Sequence, residues 1–207
     1  MRPTISKTES GGYTIIEAMI ATSLFIIVVM AGMGALLNAN RVHQKSQDMR
    51  SIIDNLSFAM EEMSRNLRTG YRYQCFEKGV GVDIIQGNLG TTASCPDGGA
   101  IAFESGEGDS TDLTDQWVYY LDLDGGKLYK SAEGAQLGTF YQLTPDEVVL
   151  DNASGFSVLG AEPPAEGGGG DRQQPLVTIR LVGTITSKGV VTPFSLQTSA
   201  SHRLIDI

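Results

Sequence analysis

One long uncharged apolar run near the N-terminus restricts what this 207-residue chain can fold into. Residues 18–37 carry no charge, and with residues 14–17 they form the only apolar stretch of membrane length. A helix over residues 14–37 would span about 36 Å at 1.5 Å per residue, which is enough to cross the hydrocarbon core of a bilayer. The run therefore predicts a transmembrane anchor, and the rest of the chain is long enough for one ordinary domain.

The flanks of this run indicate an anchor rather than a secretory signal peptide. A signal peptide has a shorter apolar core with a small-residue cleavage site after it, whereas Asn38 begins a polar helical pattern here. Arg2 and Lys7 precede the run and predict a cytoplasmic N-terminus. Arg41 and Lys45 follow the run closely, so the charge bias alone is modest.

A single carboxylate, Glu17, stands at the head of the run, where a charge is costly and often functional. It lies four residues after Tyr13, one helical turn along, and Tyr13 follows Gly11 and Gly12. The two glycines would let a protease approach the backbone closely. Cleavage after Gly12 would give Tyr13 a free α-amine, which could pair with Glu17 of a neighbouring chain and set the axial stagger. The alternative is a plain signal anchor with an incidental glutamate.

Charge and cysteine content limit the classes of function. The net charge of −9 argues against a nucleic-acid-binding protein and indicates a solvated acidic surface, with an acidic binding face as the alternative. Cys75 and Cys95 are the only cysteines, and outside the cytoplasm we expect them to pair. Closing a loop of about 20 residues would contribute on the order of 3 kcal/mol. Two free thiols are the alternative, and the cysteines and histidines lack the spacing of a zinc site.

A second helical pattern follows the apolar run. Apolar residues recur at helical spacing from Met49 to Leu67, which predicts one buried face, and Gly70 is a plausible stop. The members of this stripe are Met49, Ile52, Ile53, Leu56, Met60, Met63 and Leu67. No proline interrupts residues 4–95, so one helix over residues 14–69 is predicted, with Gly32 and Gly34 as weak points where it could bend.

The chain after Gly70 changes to short β-type runs separated by turn residues, which predicts antiparallel hairpins. Asp124-Gly125-Gly126 is a strong hairpin signal. The predicted strands are residues 100–103, 116–123, 127–131, 147–150, 155–159, 176–185 and 190–198. The apolar stripe of the helix needs a partner and the sheet can supply it, so the predicted fold class is α+β, with the long helix packed on an antiparallel sheet.

No pattern points to catalysis, a cofactor or a metal. The only histidines are His43 and His202; Ser199 and Ser201 lie near His202, but no nucleophile elbow is present. The Gly- and Pro-rich residues 162–175 indicate a loop and lack the Gly-Lys-Ser/Thr of a phosphate-binding loop. The acidic residues 109, 112, 115, 122 and 124 do not fit an EF-hand, and calcium binding stays open. We therefore predict a non-enzymatic protein.

Residues 1–17 closely resemble the type IV prepilin signature: a short basic leader ending in Gly, an aromatic residue and a Glu at the fifth mature position. The resemblance implies that a prepilin peptidase cuts between Gly12 and Tyr13 and N-methylates Tyr13. It also implies that Glu17 acts in assembly. Many major pilins have Pro where this chain has Gly34.

Residues 56–68 and 194–203 resemble the minor pilin and minor pseudopilin branch, of the J-type found in general secretion systems. The resemblance implies a pilin-like fold with a leader (residues 1–12), a transmembrane or filament-core helix (13–37), an amphipathic helix (38–70) and an extracytoplasmic β-rich domain (71–207). It implies a single-pass protein of the inner membrane that enters a pilus or pseudopilus. The implied partners are other pilin subunits and an inner-membrane platform with its ATPase.

The sequence thus predicts a minor structural subunit of a type IV pilus or type II secretion-like filament, assembled by helix packing and priming assembly at the tip. Two alternatives from other classes stay open. One is a tip adhesin on the same anchor that binds through residues 161–175. The other is a membrane-anchored hydrolase that depends on His202.

Overall fold

The computed structural model describes residues 11–162 and 173–202. Residues 1–10 of the predicted leader, most of the predicted loop at 162–175 and the last five residues lie outside that part. The chain divides into two units, Met1–Gln47 and Asp48–Ile207.

Helix α1 (Ile15–Thr69) confirms the single long helix predicted from the absence of proline. The helix continues through Gly32 and Gly34 without interruption. In the second unit its buried face comprises Ile52, Leu56, Ala59, Met60, Met63, Ser64 and Leu67. The predicted stripe is therefore correct for most positions, but Ile53 is exposed and Met49 is only partly buried against the core.

The end of α1 is held by strand β1 (Tyr71–Glu77). The hydroxyl of Tyr73 shares its single proton between the carbonyl oxygens of Leu67 and, at 2.7 Å, of Gly70, so the free carbonyls at the helix end gain a donor. A Cβ on Gly70 would collide with the ring of Phe103 and lie 2.9 Å from the carbonyl oxygen of Glu104. Gly70 thus ends the helix where the sequence predicted, and close packing explains why it is glycine.

The second unit contains one antiparallel sheet. After β1 its strands are β2 (Cys95–Glu104), β3 (Trp117–Asp122), β4 (Lys127–Ser131), β5 (Tyr141–Gln142), β6 (Val148–Leu150), β7 (Gly155–Leu159), β8 (Leu176–Ser187) and β9 (Val190–Ser201). The main path of the sheet runs β5-β4-β3-β2-β7-β8-β6, with β1 added on β2 and β9 on β8. A short helix α2 (Val82–Gly87) lies between β1 and β2. The α+β fold class with an antiparallel sheet is confirmed.

Two tight turns carry the hairpins. Between β3 and β4, Asp122 pairs with Lys127, and Gly125 N–H donates to the Asp122 carboxylate at 3.0 Å. Between β8 and β9, Lys188 and Gly189 both have positive φ, at 48° and 77°. Two consecutive residues with positive φ match the twist of a two-residue hairpin.

The core of the second unit lies between α1 and the sheet. Its largest fully buried side chains are aromatic, with Phe103 and Tyr119 stacked at a ring separation of 5.8 Å. The opposite face of β2, with Ala100 and Ala102, packs into a smaller cluster that includes Ile85 of α2. Strand β2 is thus buried on both faces, and this explains its nearly continuous apolar run.

Cys75 and Cys95 form the predicted disulfide, which joins β1 to the start of β2. Their Cα atoms are 5.6 Å apart, within the usual range for such bridges. A Cβ on Gly98 would meet both sulfur atoms, so the bridge depends on glycine at that position. Two buried neighbouring strands are therefore linked covalently.

Candidate functional site: the apolar helix and the residues before it

The helix residues of the first unit form an apolar surface without a partner in that unit. The large apolar side chains of residues 13–42 are more than half exposed, from Tyr13 at 86 % to Ile26 at 52 %, and only Val29 is half-buried. Monomeric soluble proteins rarely expose apolar surface on this scale. This segment therefore requires an apolar environment, either lipid or other apolar helices.

By length and composition, the helix α1 that contains this segment is long and apolar enough to cross a membrane. The two hydroxyl groups within residues 15–37 of this helix, those of Thr22 and Ser23, already have partners. Thr22 donates to the carbonyl oxygen of Ala18 at 2.9 Å, and Ser23 donates to that of Ile20 at 2.9 Å. These side chains therefore place no unpaired donor in the segment, as an apolar surrounding demands.

The residues before the helix are open to solvent. Gly11, Gly12 and Tyr13 are exposed and precede the helical assignment, and a Cβ built on either glycine would touch nothing within 4 Å. A peptidase needs backbone in an extended, accessible form, because it binds substrate groups directly at the scissile bond. The Gly12–Tyr13 bond lies in exposed backbone outside the helix, and its cleavage and methylation stay predictions.

Thr14 is the helix cap that the sequence analysis missed. Its carbonyl oxygen accepts from Ala18 N–H at 3.1 Å, and its hydroxyl oxygen accepts weakly from Glu17 N–H at 3.4 Å. The pattern Thr14-Ile15-Ile16-Glu17 is the sequence form of a capping box, which was the signal available for finding it. Of the two hydrogen bonds of a capping box, only the one from Glu17 N–H to the Thr14 hydroxyl is formed among the described residues.

Glu17 lies in the first turn of the helix, where the N-terminal end of the helix dipole favours a negative charge. Within the described residues its carboxylate forms no ion pair or side-chain hydrogen bond. It is therefore placed for either of two uses: local stabilisation of the helix start, or a partner on another chain. The assembly role stays a prediction.

His43, His202 and Ser199 each contact a different neighbour. His43 is exposed and pairs with Gln47 at 3.0 Å. The ring of His202 meets that of Tyr73 edge-on, and burial lowers the pKa of His202. Ser199 is hydrogen-bonded to Thr178 at 3.0 Å.

A groove at the end of α1 in the second unit was not predicted, because its walls come from separate stretches of the chain. Its volume is 1210 Å³. It is lined by side chains that include Arg68, Tyr71, Trp117, Gln174 and His202.

The start of the predicted adhesin loop is anchored to the sheet. The Glu162 carboxylate accepts from Ser94 N–H at 2.7 Å and from its hydroxyl at 2.5 Å, and these bonds lower the pKa of Glu162. Residues 163–172 of that loop lie outside the described residues. In the part of the chain that is described, no group of three or more His, Cys, Asp or Glu side chains is arranged to hold a metal ion.

Comparison of the chain with protein-family models, with curated proteins and with solved structures gave no match in any of the three. The resemblance to prepilins therefore rests on residues 1–17, 56–68 and 194–203 of the sequence alone.

Proposed function

We propose that this protein is a membrane-stored minor subunit of a type IV pilus or a pilus-like secretion filament. The observation that carries the proposal is the exposed apolar part of α1, which has Glu17 in its first turn and follows an accessible Gly12–Tyr13 bond. A simple anchor explains the apolar length. It does not explain why the carboxylate of Glu17 lies one helical turn after Tyr13, at the proposed cleavage site.

The proposed mechanism has two states of the same helix. Before assembly, the apolar segment lies in the inner membrane, the N-terminus is cytoplasmic and the sheet domain is outside. After prepilin peptidase has removed the leader, the platform protein and its ATPase would lift the subunit into the filament. There the apolar surface packs on other subunits in place of lipid, and the α-amine of Tyr13 pairs with Glu17 of a neighbour.

The second unit supports an extracytoplasmic position for the sheet domain. The disulfide between Cys75 and Cys95 is stable in oxidising compartments and rare in the cytoplasm. The α+β arrangement, in which a helix packs on an antiparallel sheet, is compatible with the pilin-like fold that the sequence resemblance implies.

Mass spectrometry of the N-terminus tests the proposal directly. The full chain would be co-expressed with a prepilin peptidase and compared with a Gly12→Leu variant, since a bulky residue should block access to the bond. We expect the mature chain to begin with N-methylated Tyr13, and the variant to stay uncut. A mature chain that retains Met1, or one that begins after residue 37, would contradict the proposal.

A further inference from the structure

Strand β9 has a free outer edge. Among the described residues it pairs with β8 alone, along its whole length and without a bulge. Pro193 lies opposite Thr184 but has no N–H to donate to β8, so its nitrogen belongs to the outer side of the strand. Backbone groups alternate along an antiparallel strand, so those of Ser195, Gln197 and Ser199 also point outward. No hydrogen bond reaches these outward groups in the part of the chain that is described.

This edge lacks most of the features that keep edge strands from pairing with other chains. Proteins protect such edges with short strands, charged side chains, bulges or proline. Strand β9 is 12 residues long and contains no charged residue, and its one proline, Pro193, lies near its start. Residues 194–201, which we call the β9 edge, are therefore regular and uncharged, and they can accept another strand.

A groove of 580 Å³ lies between α1 and the β9 edge. Its apolar surface comes from Met60, which is buried, and from Leu196, which is half-buried. Leu196 and Phe194 pack on the core below α1, so the even-numbered residues of β9 face the helix. Gln197 faces away from the helix and still lines the groove, which means that the groove extends to the outer edge of the strand. A strand added there would place every second side chain in the groove.

The helix wall of this groove carries a positive charge without a partner. Arg65 and Arg68 both line the groove. Arg65 forms an exposed ion pair with Glu61 at 3.4 Å, whereas Arg68 has no ion pair or hydrogen bond among the described residues. The chain as a whole has a net charge of −9, so a free arginine beside an apolar groove is a local exception. Charge complementarity therefore favours an occupant with an acidic side chain.

The direction of α1 relative to β9 sets the order of side chains in the occupant. Asp48 pairs with Lys188 at the turn before β9, and Thr69 lines one groove together with Ser201 at the end of β9. Residues 48–69 of α1 and strand β9 therefore run in the same direction, from the apolar part of the groove toward Arg68. An antiparallel partner strand, the more stable kind, would meet Arg68 first and the apolar part afterwards.

We propose that the β9 edge binds an extended segment of another protein, which adds an antiparallel strand to the sheet. Main-chain hydrogen bonds to the outward groups of Ser195, Gln197 and Ser199 would hold the segment, and its alternate side chains would fill the groove. An acidic side chain would meet Arg68, and apolar side chains would follow it. A second copy of this chain fits less well, because its own β9 has no acidic residue for Arg68. This binding does not depend on filament assembly.

A synthetic peptide tests the site. The full chain in detergent micelles would be titrated into a fluorescein-labelled peptide, Thr-Asp-Thr-Val-Thr-Ile-Thr with both ends blocked, and fluorescence anisotropy would be measured. This peptide places Asp, Val and Ile on one face in the expected order. We expect a dissociation constant on the order of 100 µM. A peptide with Lys in place of Asp should bind roughly fivefold more weakly, because it would repel Arg68. A peptide N-methylated at the amides that face β9 should not bind, since it lacks the main-chain donors.

Two variants of the chain remove separate parts of the site, and each has a control. Gln197→Pro removes one outward N–H and leaves the bonds to β8 in place, as Pro193 does in the native strand. It should weaken peptide binding roughly tenfold, whereas Gln197→Ala should not change it. Arg68→Ala should weaken binding of the Asp peptide roughly fivefold. Arg50→Ala removes an exposed arginine of α1 that does not line the groove, and it should have no effect.

Three results would overturn the proposal. The first is equal binding of the N-methylated and unmodified peptides, and the second is full binding by a folded Gln197→Pro chain. The third is a dimer of the unmodified chain, seen by sedimentation in the same detergent, that Gln197→Pro dissociates, because a second copy would then cover the edge. If Gln197→Pro does not fold, the N-methylated peptide and Arg68→Ala still decide.

Discussion

Lys130 Nζ lies 2.6 Å from Oε1 of Glu62, and this ion pair joins strand β4 to helix α1. The lysine is almost fully buried, and its ammonium group also lies 4.1 Å from the centre of the Trp117 ring. A buried ammonium group is tolerated only with such partners. The contact therefore fixes where the helix lies on the sheet, in addition to the apolar packing.

Replacement of this lysine should weaken the second unit measurably. We expect Lys130→Met to lower the free energy of unfolding by about 1–3 kcal/mol, since Glu62 is partly exposed and can be solvated after its partner is lost. Denaturant unfolding of Lys130→Met, Glu62→Gln and the double variant would give the coupling energy. The exposed pair of Arg65 and Glu61 is the matched control, and Glu61→Gln should change stability by less than about 0.5 kcal/mol. Equal effects at Glu61 and Glu62 would contradict this prediction.

The disulfide should contribute on the order of 3 kcal/mol, because it closes a loop of 20 residues in the unfolded chain. We expect reduction, or the Cys75→Ala/Cys95→Ala double variant, to lower the denaturant midpoint by a corresponding amount. Gly98→Ala should also destabilise, since its methyl group would meet the bridge and lie 2.7 Å from the Phe76 carbonyl oxygen. Gly87→Ala is the control, because nothing lies within 4 Å of a Cβ there. If the two alanine variants unfold alike, the packing argument fails.

The buried Glu104 should make stability depend on pH in a definite direction. Its pKa is raised from 4.5 to about 7 in the folded protein, so between these values the folded state binds more protons than the unfolded state. Its contribution to stability therefore falls as pH rises from about 4.5 to 7. We expect the difference in unfolding free energy between the unmodified chain and Glu104→Gln to show this slope. Parallel pH profiles for the two proteins would count against the raised pKa.

Glu17→Ala and Glu17→Gln should both be processed normally but enter filaments roughly tenfold less, because each removes the charge that pairs with a neighbour's α-amine. Thr14→Ala is the matched control. It removes the cap hydroxyl from the same turn and keeps the charge. Immunoblots of sheared filaments against membrane fractions would measure incorporation. Normal incorporation of Glu17→Gln together with poor incorporation of Thr14→Ala would show that Glu17 acts through the helix start alone.

Local sequence patterns made most of the fold predictable. The apolar residues from Ile52 to Leu67 recur at helical spacing, and Asp124-Gly125-Gly126 is a short motif typical of a hairpin turn. Strand β1 was missed because Gln74, buried and hydrogen-bonded to Thr91, interrupts its apolar character. Helix α2 was missed because six residues are too few to show a helical period.

The contacts that depend on distant residues were not predictable. Lys130 has the sequence context of an exposed strand residue, and only the fold brings Glu62 to it from 68 positions away. In the sequence Asp115 is one of several acidic residues and Glu104 stands apart from them; only the loop between β2 and β3 brings the two side chains together. The residues around Gly12 and Glu17 were the reverse case, since they are contiguous and their pattern needed no folding to be noticed.

The order of α1 and the strands along the chain also has a consequence for its synthesis. The buried face of α1 ends at Leu67, whereas β8, which adds Ile179 and Leu181 to the same core, begins at Leu176. At about 5–20 residues per second, roughly 110 further residues require about 5–20 s of translation. Strands β2 and β3, which are made earlier, already bring Phe103 and Tyr119 to the same core, so during that interval the apolar face is only partly covered. A nascent chain of this protein therefore gains the full cover of that face only after most of its sequence has been made.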